Sequence, residues 1–311
     1  MALVLATSKC VELAHQMGDW EIDIQNDDGG VIHGLYTSER KPSSVFNTGM
    51  VMHGWLDLHQ ASEGTRYLEA AVRAGHFLAH NQDEDGIWRG EIEYNDIPHT
   101  YNARVSWALL RLADATGEER FRTAARRQLD WVLAMQQNNG WFEWCVFRRN
   151  MQPNTHAIAY TLRGLLESYV LTGYEPYLKA TLKTSEVLIS KLEFHEKLAG
   201  NFDRAWNPAA WYECLTGTAQ LGGVWMRLYE VTGEPRFLDS GLKAIELAAS
   251  HQSRVEWRPV RGALPGSYPI YGRYAPFKFP NWATKFLVDG LMKREDLLAQ
   301  KRAASAGFAK D

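Results

Sequence analysis

The chain has 311 residues, of which 45% are hydrophobic and 23% charged, and its net charge is −3. That supplies apolar material for a substantial core. The interspersed charges exclude the broad basic footprint of a nucleic-acid binder, and three cysteines exclude a disulfide scaffold.

Helical apolar spacing predicts helices over 3–18, 45–60, 65–80, 99–115, 119–137, 155–172, 176–193, 211–231, 235–251 and 281–291, with a short terminal helix near 294–306. Met1–Cys10 is apolar but has neither a basic leader nor a full-length apolar run before a small-residue cleavage site. No segment reaches the roughly 18 uninterrupted apolar residues of a membrane span. The expectation is a cytoplasmic chain without membrane insertion. A turn recurs between successive helices, with its aromatic residue at Tyr67, Phe121, Tyr177 and Phe237, spaced by 54, 56 and 60 residues. Its copies read Ser62-Glu63-Gly64-Thr65-Arg66-Tyr67, Thr116-Gly117-Glu118-Glu119-Arg120-Phe121, Thr172-Gly173-Tyr174-Glu175-Pro176-Tyr177 and Thr232-Gly233-Glu234-Pro235-Arg236-Phe237. Such repetition marks a fold built from one unit. The glycine stops the incoming helix and the aromatic residue anchors the next.

The opposite connections, 19–44, 81–98, 138–154, 194–210 and 252–280, are long and rich in Gly, Pro, Asn and aromatic residues. Short turns at one end and elaborated loops at the other predict a single all-α domain over 1–311. It is an α/α toroid of helical hairpins, an incomplete or complete (α/α)6 barrel, with an open solenoid as the alternative. Its inner helices begin near 45, 99, 155, 211 and 281, and binding falls to the long-loop face.

Gln82-Asp83-Glu84-Asp85-Gly86-Ile87-Trp88 resembles the Gln-Trp repeat of terpenoid cyclases, and Gln136 to Phe142 is a degenerate copy. The resemblance implies the α/α toroid fold but not the activity, because the acidic cyclase cluster is missing. Protein prenyltransferases of that superfold hold zinc with Asp, Cys and His, and Cys214 has no His near it in sequence. Pro153-Asn154-Thr155-His156-Ala157-Ile158-Ala159-Tyr160 and Pro280-Asn281-Trp282-Ala283-Thr284-Lys285-Phe286 resemble cyclase-like toroids of bacterial exopolysaccharide biosynthesis. More distantly they resemble α/α-barrel sugar epimerases and unsaturated glucuronyl hydrolases. The resemblance implies a carbohydrate-active protein acting on a poly- or oligosaccharide, alongside polysaccharide-assembly proteins.

Candidate chemistry lies in the long loops and at the inner-helix starts, where exposed amides and the positive helix ends gather. His156 and Tyr160 share one helix face, and histidine transfers protons near neutral pH. Asp203 and Glu143 form the first carboxylate pair for glycoside hydrolysis. Trp141, Trp144 and Trp206 offer aromatic surface beside them. Glu213, near an inner-helix start, is a base or hydroxyl binder, and the helix dipole favours its ionised form. Asn154 and Asn281 suit capping. Trp88, Tyr274 and Trp282 add rings for sugar stacking, while Arg149 and Arg273 suit an anionic sugar. No metal signature and no cofactor fingerprint is present, so no ion or cofactor is expected. Glycoside hydrolysis and lyase-type elimination are the leading reactions. A non-catalytic glycan scaffold and a sugar epimerase are the alternatives.

Overall fold

The structure, a computed structural model, describes residues 2–34 and 41–307, with side chains described over 8–34 and 41–302. Part of the predicted connection 19–44, residues 35–40, lies outside the described residues. Among the described residues there are ten α-helices. They are α1 (Ala2–Asp23), α2 (Val45–Ala61), α3 (Arg66–His80), α4 (Ala103–Thr116), α5 (Glu119–Ala134), α6 (Thr155–Thr172), α7 (Glu175–His195), α8 (Leu215–Thr232), α9 (Pro235–Ser250) and α10 (Asn281–Gly307). Four short 3-10 turns and four two-residue strands accompany them: β1 (Val31–Ile32) pairs antiparallel with β2 (Ser43–Ser44), and β3 (Glu213–Cys214) with β4 (Ser267–Tyr268).

Two compact units emerge. One comprises Met1–Met135, Phe147–Arg149 and Glu167–Tyr174, and the other Gln136–Val146, Asn150–Leu166 and Glu175–Asp311. In the first, α2 packs on α3 and α4, and α4 on α5. Trp55, Leu78, Leu109, Leu112 and Phe121 are buried in it. In the second, α8 packs on α9 and α10 around Leu215, Met226, Leu238, Ile245 and Leu287.

The short turns work by side-chain chemistry as well as by glycine. Thr116 Oγ donates to the Leu112 carbonyl at 2.8 Å and accepts from the Glu118 amide at 3.2 Å. Thr172 and Thr232 repeat both bonds. Gly117 and Gly233 follow at φ 74° and 73° and close α4 and α8 with amide bonds to Ala113 and Tyr229. This left-handed cap is where a β-carbon is costly. Tyr67, Phe121, Tyr177 and Phe237 are all buried, as anchors of the following helices.

At the other end the Gln-Trp-like segments are clamps. Gln25 Nε2 donates to Gly29 O at 2.7 Å and to Ala70 O at 3.1 Å. Gln82 Nε2 repeats this with Gly86 O and Ala124 O, and Gln136 Nε2 reaches Ala180 O and Thr184 Oγ1. Gln25 and Gln82 thus close their own loops and tie them to the next outer helix, while Gln136 makes only the tie and Thr184 Oγ1 closes that loop on Gly140 O at 2.6 Å. Trp88 is buried, with its indole N–H on Leu78 O at 2.8 Å.

Five predicted boundaries differ by three residues or more. The helix expected over 3–18 runs on to Asp23, and the one expected from 99 begins at Ala103, after a 3-10 turn over Thr100–Asn102. The helix expected from 211 begins at Leu215, because Glu213 and Cys214 spend their backbone on the β4 ladder. The helix expected to 137 ends at Ala134, where Gln136 leaves to bridge Phe142. The segments expected at 281–291 and 294–306 are one helix. No Gly or Pro interrupts 291–298, and Lys293 Nζ pins the junction to Glu230 at 2.9 Å.

Candidate functional site

The second unit builds a site where α6 and α8 begin side by side. Asn154 Oδ1 accepts from the His156 amide at 2.9 Å, the expected capping role. Gly217 permits the approach, since a β-carbon there would lie 2.7 Å from both the His156 nitrogen and the Thr155 carbonyl carbon. One turn further, Gln220 Oε1 meets His156 Nδ1 at 2.5 Å, and both residues are buried. The amide oxygen only accepts, so the bond places the proton on Nδ1 and the lone pair on Nε2. Tyr160 lies with its ring centroid 4.3 Å from that of His156, Tyr274 at 5.6 Å and Phe286 at 6.2 Å. Gln220 carries no motif of its own. Its only sequence signal is helical spacing from Gly217.

Tyr274 is half-buried, and its hydroxyl accepts from Trp282 Nε1 at 2.9 Å. Burial pushes its phenol upward, so it stays protonated. Cys214 is buried and its thiol is pushed up to about 12, chiefly by burial, which makes it filling rather than a nucleophile. Glu213 differs from the dipole-based expectation. Burial raises its carboxyl above the usual range, partly offset by Lys197, and Oε2 is buried without a hydrogen-bond partner. Desolvation here outweighs the helix end.

Glu143, Asp203, Trp141 and Trp206 form a separate group in the same unit. Glu143 pairs with Arg204. Asp203 accepts from the Ala205 and Asn207 amides at 2.9 and 2.8 Å and from Asn207 Nδ2 at 3.0 Å. Those bonds, the Asn207 side chain first, hold its carboxyl below the usual range, so its charge is spent fastening a turn. Trp141 and Trp206 are buried edge to face at 5.3 Å, and Trp206 Nε1 donates to Asn139 O. With Trp88 they correct the expectation of open stacking surfaces, because hydrophobic packing consumes their faces. Trp144 is half-buried at φ 57°, and Arg149 and Arg273 are exposed. The turn adjoins the first group through the Asn154–Asn201 bridge and the Phe202 amide on Pro153 O at 3.2 Å.

Open aromatic surface lies elsewhere. Trp211 and Tyr271 are 58% and 56% exposed, with ring centroids 5.5 Å apart and planes inclined by 30°. Trp282 is 46% exposed. Trp211 falls in the loop because α8 starts late.

The first unit holds its own buried acid. Glu93 Oε1 accepts from Asn102 Nδ2 at 2.5 Å, and Oε2 has no hydrogen-bond partner and lies 3.8 Å from His99 Nε2. Burial raises Glu93 well above the usual carboxylate range. Among the described residues no group of three or more His, Cys, Asp or Glu is placed to hold a metal ion, and no helix is long and apolar enough to cross a membrane.

Solved structures share this fold. A sugar epimerase from a ruminal bacterium matches with a TM-score of 0.69 at 17% identity, over 83% of this chain and 75% of its own. An unsaturated glucuronyl hydrolase from Bacillus sp. GL1, described as responsible for glycosaminoglycan degradation, gives 0.65 at 13%, over 79% and 73%. An α-mannanase from Bacteroides thetaiotaomicron gives 0.61 at 16%, over 90% and 79%. The fold class is therefore all-α, the α/α toroid of helical hairpins. No family model matches the sequence, and no curated protein sequence matches it.

Proposed function

We propose that the chain is a carbohydrate-active enzyme that cleaves an anionic bacterial poly- or oligosaccharide by elimination, centred on His156. The observation that carries this is the 2.5 Å contact from His156 Nδ1 to Gln220 Oε1. A buried acceptor on Nδ1 leaves Nε2 as the basic nitrogen of the ring. In a uronate, His156 takes the C5 proton. The C–H electron pair becomes the C4=C5 double bond, the C4–O bond breaks, and Tyr160 protonates the leaving oxygen. Arg273 offsets the uronate charge, Glu213 binds a sugar hydroxyl, and Trp211 with Tyr271 gives the ring a stacking face.

Hydrolysis draws less support, because Asp203 and Glu143 are committed to a turn and an ion pair. The catalytic use of that pair, and the contribution of Trp144, Arg149 and Trp282 to binding, stand as proposals for the same experiments. The resemblance of 153–160 and 280–286 to exopolysaccharide toroids supports a cytoplasmic role beside polysaccharide-assembly proteins. Epimerisation is the second reading, favoured by a base with two tyrosines around one ring.

Uronate-containing and neutral bacterial polysaccharides, incubated with the purified protein, separate these reactions. Elimination yields unsaturated uronates by absorbance, and hydrolysis yields reducing ends without them. Epimerisation incorporates solvent deuterium without cleavage. H156A is expected to lower turnover by about 10²–10⁴, and Q220L by less, with a changed pH profile. Full turnover in H156A would remove the assignment.

A further inference from the structure

The loop clamps differ in one respect. Gln25 Oε1 accepts from Arg73 Nε at 3.0 Å and Nη2 at 2.7 Å. Gln82 and Arg127 occupy the equivalent places one repeat later: Gly29 sits over the Arg73 carbonyl, and Gly86 over the Arg127 carbonyl. There the pair is not made. Gln82 Oε1 and Arg127 Nε are both buried without a hydrogen-bond partner, although a buried donor and acceptor each left unmet cost about 1–3 kcal/mol.

Arg127 instead lines a groove of about 870 Å³ with His76, His80, Asn81, Arg120 and Thr123. It lies in the first unit, along α3 and α5. Arg120 Nη1 stands 3.4 Å from His76 Nδ1, a donor group held against an imidazole. The nearby carboxylates are already engaged. Asp28 accepts from Ser43 Oγ at 2.7 Å and from the Gly30 amide at 2.9 Å, and Glu118 pairs with Arg120 Nε at 3.0 Å. The groove therefore offers the Arg127 guanidinium, the Arg120 guanidinium already paired with Glu118, two imidazoles and two neutral polar side chains, with the Asp28 carboxylate also on its wall.

We propose that this groove is an oxyanion-binding site, recognising carboxylate or sulfate groups carried on a polysaccharide chain. Planar guanidinium donors match such groups in pairs. Arg127, not engaged by its repeat partner, instead contributes to the groove wall. The site is separate from His156, and binding there needs no turnover, so the inference stands apart from the proposed reaction.

The test follows the ring signals of His76 and His80 by NMR during titration with oligogalacturonate, inorganic sulfate and a neutral cello-oligosaccharide. Wild type is compared with R127Q and R120Q. Arg120 is 63% exposed at its side chain, so R120Q keeps the test open should R127Q unfold. Saturable shifts with oligogalacturonate are expected, with affinity about tenfold or more weaker in the variants and falling with salt. The neutral oligosaccharide should leave the signals unmoved. Saturation by sulfate but not by the oligomer would keep the oxyanion site and assign it to a free anion. Signals that ignore both anions, or that follow the neutral sugar equally and persist in both variants, overturn the proposal.

Discussion

Substituting Gly217 by alanine probes how the helix pair and the site depend on each other. The new β-carbon would stand 2.7 Å from the His156 nitrogen and the Thr155 carbonyl carbon, whereas ordinary van der Waals contact begins at 3.4 Å. These are backbone atoms, so no side chain can swing away, and the starts of α6 and α8 must part by several tenths of an ångström. Overpacking of this kind costs about 1–3 kcal/mol. Against it, alanine in a helix gains roughly 0.5–1 kcal/mol over glycine. Gly223 supplies the control: it lies in the same helix, and a β-carbon there meets nothing within 4 Å. G223A should therefore stabilise the protein by about 0.5–1 kcal/mol, and G217A should be less stable than G223A by about 1–3 kcal/mol. Urea unfolding followed by both circular dichroism and tryptophan fluorescence measures the difference. Because the bond from His156 to Gln220 crosses the same approach, G217A should also lose turnover more than G223A. Equal stability and equal turnover in the two variants would refute the close-approach reasoning.

Tyr177 is 2% exposed at a short turn, and Y177A should cost about 3–5 kcal/mol through the cavity left behind, read as a lower urea midpoint with an unchanged m value. For Glu93 the folded carboxyl sits well above the unfolded value near 4.5, so the folded state holds the extra proton between the two. Stability should fall as pH rises from about 4.5 toward the folded value and then level off. E93Q should flatten that slope and raise Tm at the alkaline end, and a slope identical to wild type would count against it. Glu213 is raised in the same direction, so E213Q should remove a further part of the slope. In D203N an amide oxygen can still accept the turn amides, so the urea midpoint should stay close to that of wild type. Turnover should largely persist, and its abolition would return Asp203 to the chemistry.

Much of the architecture is legible because repetition multiplies weak signals. One Gly turn is a common local feature, but four at similar spacing, three of them Thr-Gly and each followed by an aromatic anchor, fix both the helix boundaries and the polarity of the hairpins. The limits of α2 and α6 fall within a residue of their apolar periodicity for this reason. Where prediction missed, a non-local partner decided: Glu213 and Cys214 become a strand only because Ser267 and Tyr268 come alongside. His156 and Tyr160 meet as their helical spacing requires. Gln220, 64 residues away from His156, has no local mark. Tryptophan content does not separate a buried indole such as Trp88 from an open one such as Trp211 or Trp282. The carboxylates misled for a related reason. Asp203 and Glu213 look alike in sequence, and only the amides around one and the burial around the other separate their protonation.

The glutamine clamps also bear on how such a chain can diversify. Gln25, Gln82 and Gln136 fasten the base of a loop to a helix 42 to 45 residues further on, and the segments beyond them take no part in that fastening. Lengthening or exchanging those segments need not disturb the register of the helices, so each loop can be rewritten as an independent cassette. A transplant that keeps the glutamine and its glycine while importing a foreign loop tip should retain the host's melting behaviour and acquire the donor's ligand preference. Selection can in that way alter the loop face one loop at a time, without renegotiating the scaffold at each step.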